Sequence, residues 1–341
     1  METNELPLVS IQCLVYNHEP YLRQCLDGFV MQKTNFKFEA IVHDDVSTDG
    51  SAAIIREYAE KYPDIIKPIF ETENQYSKHD GSLDRIMNEA CMGKYVAICE
   101  GDDYWIDQYK LQKQVDFMEA NPDCSLCFTN IKILNEDTGE IDENPLTSYL
   151  NESLPKGKEE LFYYIMLGLC RIQTVSVLYS SRYYSMIRNN DRIFLMGDTP
   201  LWLDLSQCGR FHYLQDKTAF YRVHTGSACR NPRTYNKFRL SMFEMRIYYC
   251  NKYGYKVPSK VKRDYNKCAL KIMMDGQLNN IILPYPIYKM NFLQSLFVNA
   301  EKNDIRLKSV VLLIHKVEDI MYAMYQRINI IVKKTKCNFS E

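Results

Sequence analysis

Long hydrophobic runs are missing from this chain of 341 residues. The nearest candidate, Val310 to Ile314, is closed by His315 and Lys316. That is far short of the ~18 apolar residues that cross a bilayer, so no membrane span is expected. A secretory leader is also missing, because the start Met1-Glu2-Thr3-Asn4-Glu5 is acidic and Ser10 and Gln12 interrupt the apolar stretch Leu8 to Val15. The expected location is the cytoplasm. Glycine-rich phosphate cradles are absent too. Neither G-x-x-x-x-G-K-[ST] nor G-x-G-x-x-G follows the first strand-like run, which disfavours a P-loop NTPase and a Rossmann dehydrogenase. Histidine is scarce, with 6 residues, and the 12 cysteines supply one C-x-x-C, Cys124 and Cys127. Without a second pair, these two read as buried strand residues rather than as a zinc or redox centre.

What is present is an ordinary globular composition, 46% apolar and 25% charged, which excludes a disordered or collagen-like chain. The formal charge of −1 hides an asymmetry. Residues 236–341 hold 19 Lys and Arg against 8 Asp and Glu, a net +11, so residues 1–235 carry −12. Two surfaces with different partners are implied, the basic one facing something anionic. The expected division is a domain over 1–235 and a basic, mainly helical extension over 236–341.

Strand-like and helix-like patterns alternate over the first 130 residues. Val9 to Val15 reads as a strand, followed by a helix that buries Leu22, Leu26 and Val30 and has Pro20 in its first turn. Phe36 to Val42, Ile65 to Phe70 and Tyr95 to Cys99 are further strands. Helices are expected after Asp49, from Ser82, and from Gln108 to Glu119. The pattern predicts an α/β fold with a mostly parallel central sheet flanked by helices.

Acidic clusters fall where strands end: His43-Asp44-Asp45 after the second, and Glu100-Gly101-Asp102-Asp103 after the fourth. That edge of an open α/β sheet is where ligands bind. Carboxylates brought to one crevice repel unless a cation joins them, and hard divalent cations take carboxylate and phosphate oxygens together. A metal-bound nucleotide is therefore expected. Asp49, in Ser47-Thr48-Asp49, reads instead as a helix cap.

Four segments then carry a resemblance. They are Val9-Ser10-Ile11-x-x-Leu14-Val15-Tyr16-Asn17; Phe38 to Gly50 with Asp44, Asp45, Ser47 and Asp49; Gly93 to Trp105 with Glu100-Gly101-Asp102-Asp103; and Met196-Gly197-Asp198-Thr199-Pro200-Leu201-Trp202, followed by Tyr221-Arg222-Val223-His224. In this order, over residues 8 to about 228, the chain resembles the family 2 glycosyltransferases of GT-A fold, most closely the bacterial cell-surface polysaccharide members.

The resemblance implies that Tyr16 and Asp45, with Asp44 beside it, hold the nucleobase of a nucleotide sugar, commonly uracil. It implies that Asp102 and Asp103 contact the ribose and bind Mn²⁺ or Mg²⁺ through the donor diphosphate. Glu100 stands where many relatives have Asp, so its longer reach leaves open whether it meets the metal or the ribose. Asp198 matches the family's base. Arg222 and His224 take the position of a diphosphate contact and an additional metal contact.

Sugar transfer independently needs a Lewis acid on the leaving diphosphate and a base for the acceptor hydroxyl on the opposite face. A single displacement of that kind inverts the anomeric configuration. Asp198 suits the base, and a helix N-cap is the competing reading of that residue. The acceptor is expected to be a glycan or lipid-linked saccharide, and no nucleic acid partner is indicated. Other readings of the acidic clusters are a nucleotidyltransferase or phosphohydrolase, and a catalytically silent nucleotide-sugar-binding protein. The first of these should show a triphosphate loop or an Asp-x-Asp-x-Thr after the first strand, and neither is present. In the extension, Phe238 to Lys252, Ser259 to Leu278 and Ser309 to Lys334 show helical apolar spacing among basic residues. Packing on the catalytic domain and docking on an anionic membrane are both compatible with that spacing, and the net charge favours the membrane.

Overall fold

The computed structural model describes residues 6–143, 145, 154–187, 194–225 and 235–274. Contacts divide the chain into two compact units, Met1–Tyr235 and Asn236–Glu341.

The first unit is built on β1 (Val9–Val15), β2 (Phe38–Asp44), β3 (Ile66–Phe70), β4 (Tyr95–Ile98), β5 (Tyr104–Trp105), β6 (Cys124–Asn135), β7 (Ile141–Asp142), β8 (Val177–Ser180) and β9 (Arg210–Val223). The strands order as β3-β2-β1-β4-β8-β6-β9-β5, with β7 paired to β6. The pairings β1 to β2, β1 to β4 and β2 to β3 are parallel. Beyond β4 the sheet is mixed. β8 runs antiparallel to β4 and β6, β5 antiparallel to β9, and β9 parallel to β6. The α/β class stands, and the parallel pairing expected for most of the sheet is concentrated in its first half.

Helices α1 (Glu19–Val30), α2 (Ser51–Lys61), α3 (Ser82–Ala90), α4 (Lys110–Ala120), α5 (Lys158–Met166), α6 (Ser181–Ile187) and α7 (Asp198–Cys208) flank this sheet. β1 is buried along almost its whole length (Val9, Ile11, Cys13 and Val15 at 1% exposure or less), as expected for a parallel strand covered on both faces. α1 turns Leu22, Cys25, Leu26 and Phe29 inward. Gly28 lets α1 approach β5, since a Cβ there would lie 3.0 Å from the Trp105 nitrogen.

β1 leads to β2 and β3 on one side while β4 lies on the other. The connection therefore reverses at β1, and a crevice opens beyond the carboxyl ends of β1 and β4. The turns around it are tied by reciprocal hydrogen bonds. Asp49 accepts from the Glu19 and Ser51 amides, and Glu19 accepts from the Gly50 amide. Asp49 thus joins the starts of α1 and α2, whereas Gly50 holds the capping position itself. Cys124 and Cys127 lie buried in β6, and burial pushes the Cys124 thiol up to about 11, as suits strand residues rather than a reactive centre.

The second unit, as far as it is described, is helical: α8 (Tyr235–Lys252) and α9 (Ser259–Met274). α9 buries Val261, Tyr265, Cys268 and Ala269, a 3.6-residue spacing. The Cys268 thiol meets the Asn236 carbonyl of α8 at 3.8 Å. The end of the expected helix Ser259 to Leu278 and all of Ser309 to Lys334 lie outside the described residues. Among the described residues no helix is long and apolar enough to cross a membrane.

One buried charge gives the fold a measurable signature. Lys110 is fully buried under the Trp105 ring, its Nζ 4.3 Å from the ring centre, and it donates to Gln114 Oε1 at 2.7 Å. Burial pulls its ammonium down to about 7. Between about pH 7 and the ordinary lysine value the unfolded chain binds a proton that the native state does not, so unfolding becomes harder as pH rises. The unfolding free energy of the wild type relative to Lys110→Met, read from urea titrations, should rise between pH 6.5 and 9 with a slope of at most about 1.4 kcal/mol per pH unit. A flat difference would mean that Lys110 keeps its proton in the native state.

Candidate active site

Three strand ends and one helix start supply the polar groups. β1 ends at Val15, and Tyr16 follows with its side chain exposed (51%). Asn17 has φ +57° and accepts from the Thr48 amide through Oδ1 at 2.7 Å, pinning the β1 turn to the β2 turn. His18 then starts α1, its amide held by Ser51 Oγ at 3.0 Å.

β2 ends in Asp44, which is buried, and its Oδ1 has no hydrogen-bond partner. Asp45 is also buried but is engaged. Its two carboxylate oxygens accept from the Gln75 and Tyr76 amides at 2.6 and 3.0 Å, and its carbonyl accepts from Asn74. Asp45 therefore fastens the loop after β3. Of the two acids expected at the nucleobase, Asp45 has both carboxylate oxygens engaged and Asp44 has one without a hydrogen-bond partner. In the same loop Lys78 is paired with Glu73 and Gln75.

β4 leads into the acidic turn. Glu100 is partly buried and accepts from Thr174 Oγ1 at 2.6 Å, and burial pushes its carboxyl up to about 7. Gly101 is packed against His18 and Val15, where a Cβ would come within 2.8 Å of the His18 ring. Asp102 is the more accessible carboxylate, with 21% of its side chain exposed. Its Oδ2 lies 3.2 Å from His224 Nε2 and 4.0 Å from His18 Nε2. Burial of the His18 ring pulls its imidazole below the usual value, so it tends to neutrality. Asp103 is 2% exposed, and its Oδ1 accepts from the Arg222 amide at 2.7 Å. Burial first, then repulsion from Asp102 and Glu100, pushes the Asp103 carboxyl well up. Asp103 is thus fastened to β9, while Asp102 stands beside His224.

Arg222, expected as a diphosphate contact, is engaged with other protein groups. It is 4% exposed and donates to Glu136 Oε1 at 2.5 Å, to the Asp102 carbonyl at 2.7 Å and to Gln24 Oε1. An expected phosphate ligand is thus enclosed within the protein.

Asp198 is the first residue of α7, and its Oδ1 accepts from the Thr199 amide at 2.7 Å. Gly197 holds the capping position of α7 and no side chain caps the helix, so Asp198 is not the N-cap its alternative reading offered. Burial pushes the Asp198 carboxyl up, and its charge is felt at Glu100. Trp105 and Trp202 are both 2% exposed, and Trp105 donates to the Val175 carbonyl at 2.9 Å; both rings are packing residues.

Sequence reasoning missed His18 and Thr174. His18 stood two residues after Tyr16, and its spacing from a strand end was the available signal. Thr174, 74 positions from Glu100, had none. Among the described residues no group of three or more His, Cys, Asp or Glu side chains is arranged to hold a metal ion.

The profile of the family described as Glycosyl transferase family 2 matches residues 10–178. An uncharacterized protein of Mycobacterium tuberculosis is 39% identical over 171 residues, 50% of this chain and 46% of that protein, so the chain spans about half the length of such relatives. The putative teichuronic acid biosynthesis glycosyltransferase TuaG of Bacillus subtilis is 32% identical over 232 residues, covering 67% of this chain and 84% of TuaG. Crystal structures of S. aureus TarS 1-349, alone and in complex with UDP-GlcNAc, align with TM-scores of 0.51 at 16% identity. They cover 85% and 82% of this chain and 78% and 76% of those chains, and they share the fold. With its fold, its strand-end carboxylates and a relative matched over most of that relative's length, the chain belongs to the family 2 glycosyltransferases.

Proposed function

We propose that this chain is a metal-dependent, inverting glycosyltransferase. It moves a sugar from a nucleotide-diphosphate donor to a hydroxyl group of a glycan or lipid-linked saccharide in cell-surface polysaccharide synthesis. The observation that carries the reading is the convergence of Asp102, His224 and Glu100 beyond the ends of β1 and β4, with Asp198 within electrostatic range of Glu100. The name of TuaG and the UDP-GlcNAc bound to TarS support a UDP-linked hexosyl or N-acetylhexosaminyl donor.

A divalent cation fits the donor set. Two ligands on neighbouring positions of an ion with bonds near 2.1 Å lie about 3 Å apart, and Asp102 Oδ2 and His224 Nε2 are separated by 3.2 Å. Ions such as Mg²⁺ are commonly held by one or two protein groups with substrate phosphates and water completing the shell. Bound there through Asp102 and His224, the ion would supply Lewis acidity to the leaving diphosphate. Tyr16 offers an exposed ring at the base end of the crevice, and the acids at the end of β2, Asp44 and Asp45, would accept a nucleobase N–H. Glu100, oriented by Thr174, is placed to accept from the ribose hydroxyls. Asp198 takes the proton of the acceptor hydroxyl as it attacks the anomeric carbon opposite the diphosphate.

The basic extension is proposed to rest on an anionic membrane surface at the inner face of the plasma membrane, where each nearby Lys or Arg contributes about 1 kcal/mol. A lipid-linked acceptor would be presented on that surface.

Asp198→Asn should lower kcat by about 10²- to 10⁴-fold while leaving donor affinity unchanged. Because burial raises the Asp198 carboxyl, wild-type activity should fall on acidification at a higher pH than an ordinary carboxylate would give. Turnover of Asp198→Asn near that of the wild type would remove Asp198 from the chemistry. NMR of the product formed from an α-linked donor should show a β-linkage; a retained α-linkage contradicts the single displacement. The full chain should sediment with phosphatidylserine vesicles at low ionic strength and release at about 0.5 M salt, and sedimentation indifferent to vesicle charge would contradict the membrane role.

A further inference from the structure

Arg222 is held in a way that suits a different task from binding phosphate. A guanidinium has five N–H donors in one plane. Three are committed, through Nε to Glu136 Oε1 at 2.5 Å, Nη1 to the Asp102 carbonyl at 2.7 Å and Nη2 to Gln24 Oε1. Its flat faces are covered as well, by the Tyr104 ring at 4.3 Å and the Tyr21 ring at 5.1 Å. Such a planar cation, stacked and counter-charged, is a rigid part.

What it holds is the acidic turn, and it does so twice. The side chain takes the Asp102 carbonyl, and the backbone amide of the same residue donates to Asp103 Oδ1 at 2.7 Å. Two residues along the chain, His224 faces the Asp102 carboxylate at 3.2 Å, so one strand end sets both the backbone of Asp102 and its neighbouring ligand. Glu136 is the countercharge that keeps the buried cation in place, because an unpaired buried charge is strongly unfavourable.

We infer that buried Arg222 and its partly exposed partner Glu136 form a clamp of positioning residues that fixes Asp102 relative to His224 for metal–diphosphate binding, and that Arg222 does not itself bind the diphosphate. The inference rests on the reading of Asp102 and His224 as the metal-holding pair.

Calorimetric titration of UDP into the full chain, with and without Mn²⁺, tests it on wild type, Glu136→Gln, Glu136→Asp, Arg222→Lys and Asp102→Asn, each checked for folding by circular dichroism. Glu136→Gln and Arg222→Lys should weaken UDP binding at least tenfold with Mn²⁺ present and leave the weaker binding without Mn²⁺ unchanged. Glu136→Asp, which keeps the charge, should recover part of the Mn²⁺ enhancement. An equal loss in Arg222→Lys without Mn²⁺ would show direct diphosphate contact and overturn the clamp. So would an unchanged Mn²⁺ enhancement in folded Glu136→Gln. If Asp102→Asn keeps the full enhancement, it is the metal-pair reading that fails instead.

Discussion

Repulsion among carboxylates gathered at the strand ends is the constraint on which the rest of the molecule turns. Glu100, Asp102 and Asp103 fall within four residues, and Asp103 is almost wholly enclosed. A turn of this kind flies apart unless each carboxylate is answered. The chain answers them one by one, with the Thr174 hydroxyl on Glu100, the His224 ring on Asp102 and a strand amide on Asp103. Arg222 brings a full positive charge to the cluster, and Glu136 balances it from outside. Asp102 keeps 21% of its side chain exposed, which leaves an anionic spot of defined geometry open to a cation.

The parallel half of the sheet was readable because its signals are local. The run Val9 to Val15 has the apolar content of a doubly covered strand, and Pro20 marks the first turn of α1. β2 is displaced by two residues from its expected span, since His43 and Asp44 are polar yet continue the ladder beside Leu14 and Val15. Tertiary pairing overrides residue preference there. The mixed half was not readable. β8, β6 and β9 are assembled from distant segments, with bulges between Thr129 and Ile131 that no period-2 pattern records.

The candidate site divides along the same line. The carboxylates were legible as clusters at strand ends, yet which member of each cluster faces the crevice was not. Past a strand end the surroundings of each residue are set by distant segments, such as the Gln75 and Tyr76 amides on Asp45 and the Arg222 amide on Asp103. The enclosure of Arg222 has a similar origin. Its partners Gln24 and Tyr21 of α1, Tyr104 of β5 and Glu136 after β6 come from three separate segments, so a residue whose charge suggested a ligand is enclosed.

The distance along the chain between the two halves of this centre also orders events in time. Asp102 and His224 are 122 positions apart, and β9 pairs with β6 across most of its length. Closing such a separation carries an entropic cost that local helices do not meet. A growing polypeptide can therefore complete its nucleotide-side scaffold early and still lack an assembled acidic turn until β9 has been synthesised and docked. The chemistry of the protein is thereby withheld from incomplete chains.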